Sequence, residues 1–393
     1  MRSILVRFPG LLLALGLLGP AGPPARAVTF DWVTIDDPGN PPDDAVMDCC
    51  RESRGLTGFG SVHYVYRIAR TELTNAQYAE FLNAVASVED PNALFNTRLR
   101  DVLRQGSAGS YSYVPKAGRE NHPVRFIDHF DGFRFANWLH NGQLSGLQDA
   151  TTTEDGAYTL LGTNPLDVVR NEGAIFFVPS EDEWYKAAFW DPVELHYWTW
   201  ATGFNPDCPE ADGDCPPVPE PPPGGAERVS ANYCPIVDPF PINCPEIYYP
   251  DIAGPGDTTD VGAYVFSPSH FGTFDQSGNL NELTEGVNID DEIGGADQSL
   301  GTEIRVTRGG VFNRGMQDSS SHSRVPVDPN NQMLSTLTLR VATVPEPGAV
   351  GVIVALGLVL GLARWRRPAA LAERTRLRAD LRGASAPPDR GRS

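Results

Sequence analysis

The sequence has no cysteine after Cys244, and its six cysteines (Cys49, Cys50, Cys208, Cys215, Cys234 and Cys244) include no Cys-x-x-Cys pair. A zinc site would need that spacing or paired histidines. The seven histidines, His63, His122, His129, His140, His196, His270 and His322, are scattered and form no helical pair. No serine-hydrolase elbow, phosphate loop or dinucleotide fingerprint occurs, and Gly294-Gly295 is an isolated turn signal. No internal repeat is visible. Positive charge is scarce: 31 Lys and Arg stand against 50 Asp and Glu, a net of −19. The 393 residues allow one large domain or two ordinary ones, with ample core.

Long apolar runs are missing as well. Arg2 and Arg7, a short apolar run over 11–18 and the small-residue site Ala25-Arg26-Ala27 form an export signal over 1–27. The short run and the helix-weakening Gly10 and Gly16 argue against a membrane helix there. Near the other end, the 16-residue apolar stretch 348–363 falls just short of the roughly 17–25 residues of a membrane span. Arg364-Trp365-Arg366-Arg367 suits a membrane–water boundary with its arginines cytoplasmic. The order Val344-Pro345-Glu346-Pro347, apolar stretch, basic cluster resembles the PEP-CTERM sorting signal of Gram-negative bacteria, over 344–367. That resemblance implies an exosortase as partner, transient anchoring in the inner membrane through 348–363, and delivery to the cell surface or extracellular matrix. The chain departs from it by continuing through a basic tail, 368–393.

Without the 12 arginines and three acids of the two ends, the body has 19 basic and 47 acidic residues, a net of −28. Such a surface repels phosphate backbones, so nucleic acid is not expected as a partner, and it favours divalent cations. In an exported chain an even cysteine count points to disulfides; Cys208, Cys215, Cys234 and Cys244 admit three pairings among themselves.

Within the body, 28–60 reads as turns, with Asp36-Asp37-Pro38-Gly39-Asn40 as a loop. Alternation of Val62, Tyr64, Tyr66 and Ile68 predicts a strand over 62–68. Thr74 and Gln77 make a capping box for a helix over 75–86, whose core face carries Tyr78, Phe81, Leu82 and Val85. Residues 87–120 read as a long loop. A second helix follows near 131–141, burying Phe135, Trp138 and Leu139, and 142–172 is irregular. Phe176-Phe177-Val178 reads as a short strand, and a second capping box, Ser180 with Glu183, opens a third helix. The acids of its first turn suit the helix dipole. Residues 205–256 hold 14 of the 35 prolines and four cysteines. They read as a disulfide-stapled surface excursion or as a Pro-rich linker. A closing strand spans about 336–344. Trp184, Trp190, Trp198 and Trp200 read as core, with a sugar-stacking groove as the rival.

Five runs in order resemble the formylglycine-generating (sulfatase-modifying factor) family. They are Thr71-Glu72-Leu73-Thr74-Asn75-Ala76-Gln77-Tyr78; His122-Pro123-Val124 with Asp131 and Trp138-Leu139; Pro179-Ser180-Glu181-Asp182-Glu183-Trp184 with Ala187-Ala188; Phe271-Gly272 with Gly278-Asn279 and Glu282; and Arg308-Gly309-Gly310-Val311-Phe312. Ser323-Arg324 and Leu339-Arg340-Val341-Ala342 extend the last. Together they cover about 60–343. The resemblance implies one α+β domain over 28–343, related to the C-type-lectin-like fold, rich in irregular loops and closed by paired terminal strands. Strands 62–68 and 336–344 are the expected pair. It also implies an oxidase in which two cysteines hold copper, yet the aligned positions are Arg314 and Ser319. Cu(I) wants soft thiolates, so copper is not expected here. Asn281 and Leu283 replace two tryptophans of the family's fourth run, and His129 replaces an aromatic of its second.

Calcium is the cofactor that the resemblance still implies. One site would use side-chain oxygens of Asp275 and Glu282 with backbone carbonyls of Gly278 and Leu280, an oxygen set suited to a hard cation. The plainer reading is that Asp275 caps a turn. A second site would use Asn232 with Asp251 or Asp257. The ancestral cleft falls near Arg308, Asn313, Arg314, Ser319 and Arg324, and a surviving ligand site is expected there. The expected function is a surface-targeted, non-catalytic binding or matrix protein that meets a polysaccharide or surface protein. The alternatives are an enzyme of altered chemistry in the same cleft and a retained formylglycine-type oxidase.

Overall fold

The computed structural model describes residues 27–47, 55–164, 166–203, 218–219, 230–232, 257–288, 304–332 and 334–345. Most of the expected export signal, all six cysteines, Asp251, most of 205–256, Gly294-Gly295, the 348–363 stretch and the tail lie outside them. The disulfide and sorting-signal expectations fall there. Among the described residues no helix is long and apolar enough to cross a membrane.

The fold is α+β, with short strands in mixed sheets and few helices. In chain order the elements are β1 (Trp32–Ile35), β2 (Tyr66–Ala69), α1 (Asn75–Val85), β3 (Val102–Ser107), β4 (Ser110–Pro115), α2 (His129–His140), β5 (Phe176–Phe177) and α3 (Glu181–Phe189). Then come β6 (Trp190–Asp191), β7 (His196–Tyr197), β8 (Val218–Pro219), β9 (Ser230–Ala231), β10 (Asn281–Asn288), β11 (Ile304–Arg308), β12 (Val325–Val327), β13 (Leu337–Thr338) and β14 (Ala342–Thr343). One sheet runs β1-β2-β14-β5 and a second β12-β11-β10-β13.

The expected meeting of the terminal strands occurs, but it is shorter: β14 lies antiparallel to β2 with Ala342 opposite Ile68. The single closing strand expected over 336–344 is instead two. Leu337–Thr338 runs parallel to β10, and the chain then crosses to the other sheet. The crossover drops Arg340 into the interior, where it is 0 % exposed. Sequence alternation could not show this break, because Leu337, Leu339 and Val341 are buried on both sides of it.

Capping sets the helix starts. Thr74 accepts from the Gln77 amide, and Gln77 Oε1 accepts from the Thr74 amide at 2.9 Å. Ser180 and Glu183 do the same for α3. Helix α2 begins two residues before its expected start because Asp128 and Asp131 form a third capping box. Tyr78, Phe81, Phe135 and Trp138 join α1 to α2, with the Phe81 and Phe135 rings 5.2 Å apart and edge to face.

Two stretches read as loops are not. β1 lies within 28–60, and the β3–β4 hairpin lies within 87–120. The hairpin buries Val102 and Tyr113 but exposes Leu103 and Val114, so its pattern carries no clean period. Trp184, Trp190, Trp198 and Trp200 are all buried, so these four rings pack inside the protein and do not form the exposed face of a sugar-stacking groove.

Candidate functional site

The end of β11 and the start of α3 meet at a buried charge cluster. Glu181 Oε1 accepts from Arg308 Nη2 at 2.6 Å and from Nε of both Arg308 and Arg324 at 2.9 Å. Its Oε2 accepts from Arg324 Nη2 at 3.1 Å. Burial works against the Glu181 charge, but the two guanidiniums outweigh it and hold the carboxyl below its ordinary value. Arg308 also donates to the Ser321 and Ser323 carbonyls, which ties β11 to the segment leading to β12. The Phe59 ring covers the pair, with the Arg308 guanidinium 4.8 Å from its centre.

Arg324 and Glu181 form one wall of a cleft with a volume of about 590 Å³. Leu56, Phe59, Val168, Val169 and Val287 give it an apolar lining. Arg170 lines it as well, held by Glu183 Oε2 at 2.6 Å and Glu285 Oε2 at 2.7 Å, with its guanidinium 3.6 Å from the centre of the Phe177 ring. Tyr158 donates to Glu285, and Tyr64 to Glu183. A register shift in β10 between Leu283 and Val287 turns Glu285 and Gly286 to the cleft. Asp182 lines it too, its Oδ1 accepting from the Gly60 amide at 2.8 Å. Burial raises its carboxyl above the ordinary value; the Gly60 amide works against this, and the Glu181 charge adds to it.

The five expected cleft residues divide. Arg308 and Arg324 come together on Glu181. Asn313, Arg314 and Ser319 lie on the turns after β11 and do not line this cleft. Arg314 is exposed, whereas Ser319 is buried with no hydrogen bond to its Oγ. Gly310 explains how tightly that turn is drawn in. Its φ is +75°, and a Cβ there would stand 2.2 Å from Ser319 Oγ. A guanidinium in solvent and a buried hydroxyl offer no thiolate, so the residues present do not fit Cu(I).

The expected calcium ligands are neighbours, but their oxygens are engaged. Both oxygens of Glu282 accept from Arg340, at 2.6 and 2.7 Å, and Oε2 also from Trp184 Nε1. Asp275 Oδ2 accepts from the Gly262 amide at 2.6 Å; burial raises this carboxyl to about 6. Asn232 donates to Asn279 Oδ1 and to the Asp257 carbonyl, and Asn279 donates to Glu72 Oε2. Gly278 packs its backbone against Asn232, and Leu280 is buried. Glu72 Oε1 and Asn232 Oδ1 are among the buried oxygens here without a hydrogen-bond partner, with Thr202 Oγ1 and Thr259 Oγ1. Among the described residues no three His, Cys, Asp or Glu side chains form a metal-holding group.

Sequence reasoning missed Phe59, Arg170 and Glu285, and gave Glu181 and Asp182 only a dipole role. Glu181 carried a readable signal: an acid inside a capping box faces the sheet if the next helical turn is core. Nothing local marks Arg170 or Glu285, whose meeting is a long-range pairing.

Residues 61–213 match the family model described as the sulfatase-modifying factor enzyme 1-like domain. That span holds the first three runs, whereas the Asp275 and Arg308 runs lie downstream of it. No curated protein matches the chain. Among solved structures it is similar to Treponema denticola variable protein 1, at 17 % identity over 82 % of this chain and 97 % of that one, with a TM-score of 0.46. It is similar to CarF at 16 % identity over 81 % and 99 %, with a TM-score of 0.46. It is also similar to PvdO from Pseudomonas aeruginosa, at 18 % identity over 80 % and 92 %, with a TM-score of 0.38. By its sequence over 61–213, this α+β chain is similar to the sulfatase-modifying factor enzyme 1-like domain.

Proposed function

We propose that the chain is an exported, surface-targeted binding protein built on a sulfatase-modifying-factor-like domain, and that it does not carry out the copper oxidase reaction. The observation that carries this reading is the pair Arg314 and Ser319, one exposed and one buried, where the resemblance calls for two thiolates. The cleft between Arg324 and Arg170 supports binding: it is large, apolar on its walls and ringed by fixed charges. A calcium ion belongs to the proposal as a structural element. Asp275 and the unpartnered oxygens of Glu72 and Asn232 are the donors with capacity left to take it. The resemblance of 1–27 to an export signal and of 344–367 to a sorting signal supports a place at the surface of a Gram-negative cell.

The test is metal analysis of the purified chain, followed by copper titration and oxygen uptake with a cysteine-containing sulfatase peptide. Bound calcium, no stoichiometric copper and no oxygen uptake are expected. Copper at one per chain with peptide-dependent oxygen uptake would overturn the reading.

A further inference from the structure

One acid of the cleft stands outside its ion pairs. Counting the buried Arg305, Arg308 and Glu183 behind its walls, four guanidiniums (Arg170, Arg305, Arg308, Arg324) stand with four carboxylates (Glu181, Asp182, Glu183, Glu285). Three of the guanidiniums are tied to carboxylates, Arg308 and Arg324 to Glu181 and Arg170 to Glu183 and Glu285, while Arg305 donates to the Val168 and Glu285 carbonyls. Asp182 is the carboxylate left over. Among the described residues it takes one backbone amide, on Oδ1, and no cation. Its side chain is only partly buried and lines the cleft, so Oδ2 is open to an incoming group. The lining beside it is aliphatic and aromatic, with Val169 69 % exposed and Phe59 partly exposed.

An apolar wall ending in one carboxylate outside any ion pair has a natural complement. The complement is a cation on an apolar stem, whose methylenes cover the aliphatic wall while its charge meets the acid. We propose that this cleft takes a lysine-type side chain of a basic protein segment, with Asp182 as its anchor and Val169, Val287 and Phe59 as the wall for its stem. The inference rests on the reading that the cleft is a binding site. The body's net charge of −28 favours the approach of such a partner over long range. The raised carboxyl of Asp182 agrees with a site that gains when a cation arrives.

The experiment is calorimetric titration of the full chain with three probes: Nα-acetyl-lysine methylamide, its uncharged analogue Nα-acetyl-norleucine methylamide, and an N-acetylglucosamine tetramer. The lysine amide should bind about tenfold more tightly than the norleucine amide, the size of one charge-assisted contact. Salt should weaken that preference. Asp182→Asn keeps an acceptor for the Gly60 amide, so the fold should persist, with an unchanged Tm as the check. The preference for lysine should vanish in this variant. Equal binding of the two amides, no binding of the lysine amide, or a preference that survives Asp182→Asn each overturns the proposal. Binding of the sugar alone would overturn the cation assignment and leave the cleft a binding site. Copper-dependent oxygen uptake would instead sink the binding reading, whatever the amides do.

Discussion

Arg340 and Glu282 form an ion pair with both side chains 0 % exposed, Nη2 lying 2.6 Å from Oε1 and Nε 2.7 Å from Oε2. The pair spans the two sheets, because Arg340 stands between β13 and β14 while Glu282 belongs to β10. Arg340 also donates to the Ala69 and Phe274 carbonyls, so one guanidinium satisfies four acceptor atoms. Removing it leaves a carboxylate buried without its counter-ion. Arg340→Met is therefore expected to lower the unfolding free energy by about 3–5 kcal/mol. Asp31→Asn, which breaks the exposed pair with Arg70 but leaves the bond from Arg70 to the Gly272 carbonyl, should lower it by at most about 1 kcal/mol. Urea denaturation of the two variants decides, and equal losses would contradict the burial argument.

His129 is buried in α2 beside Phe133 and Arg305. Burial, and then the Arg305 charge, push its imidazole down to about 3. The Val306 and Thr284 carbonyls favour the charged form, but neither makes a hydrogen bond of good geometry with the ring. The sign follows from the depressed value. The folded protein holds the neutral ring while the unfolded chain protonates near 6.5, so stability is full above that pH and is lost as pH falls toward 3. By pH 5 the loss from this group should reach about 2 kcal/mol. His129→Phe should remove that component, seen as a flatter stability profile between pH 7 and 5. A profile parallel to the wild type would show that the ring is solvated.

Asp128 acts with the opposite sign. Burial raises its carboxyl to about 6, above an ordinary Asp. The folded state therefore binds the proton more tightly, and the stability it contributes is full below pH 4 and fades as pH rises through 6. Asp128→Asn keeps an acceptor for the Asp131 amide, which Oδ1 serves at 2.9 Å. The variant should gain stability at pH 7 relative to pH 4 when compared with the wild type. Thermal melts at the two pH values give the difference, and an unchanged difference would refute the assignment.

Gly310 links the Arg-Gly-Gly run to the turn bearing Ser319. A Cβ there would meet Ser319 Oγ at 2.2 Å and the Asp318 carbonyl at 2.8 Å, on a backbone with φ +75°. Gly310→Ala should destabilise the protein by about 1–3 kcal/mol, through strain and displacement of that turn. Pairing it with Ser319→Ala would remove the Oγ clash but not the clash with the Asp318 carbonyl. Partial recovery is expected, and full recovery would place all the strain on the hydroxyl.

The elements readable in the sequence were those with local causes. Thr74 with Gln77 and Ser180 with Glu183 announce helix starts through hydrogen bonds three residues apart, and α1 and α3 begin there. The paired terminal strands could be anticipated only from the family resemblance. The β3–β4 hairpin stayed hidden because its two faces are both largely in solvent, so no hydrophobic alternation marks it. The site was half legible. Arg308 and Arg324 stand in a recognisable motif, but their partner Glu181 lies more than a hundred residues earlier, and its acidity already had a local explanation at the helix N-terminus. Asp182 and Arg170 became visible only when the sheets brought 168–170, 180–182 and 285–287 to one cleft.

The cluster at that cleft predicts an order among three substitutions. Glu181 neutralises two guanidiniums that are both buried. Glu181→Gln leaves Arg308 and Arg324 facing one another without a counter-charge, so it should be the most damaging, at about 3–5 kcal/mol. Arg308→Met removes the donors to the Ser321 and Ser323 carbonyls as well as one charge, and should come second. Arg324→Met leaves the Glu181–Arg308 pair intact and formally neutral, so its loss should stay below about 2 kcal/mol. The depressed Glu181 carboxyl adds a pH signature: its contribution is present above the unfolded value near 4.3 and is lost as pH falls through the lower folded value. Chemical denaturation at pH 7 and pH 3 tests both parts. Arg324→Met as costly as Glu181→Gln would mean that Arg324 holds the fold through the apolar face of Phe59 rather than through Glu181.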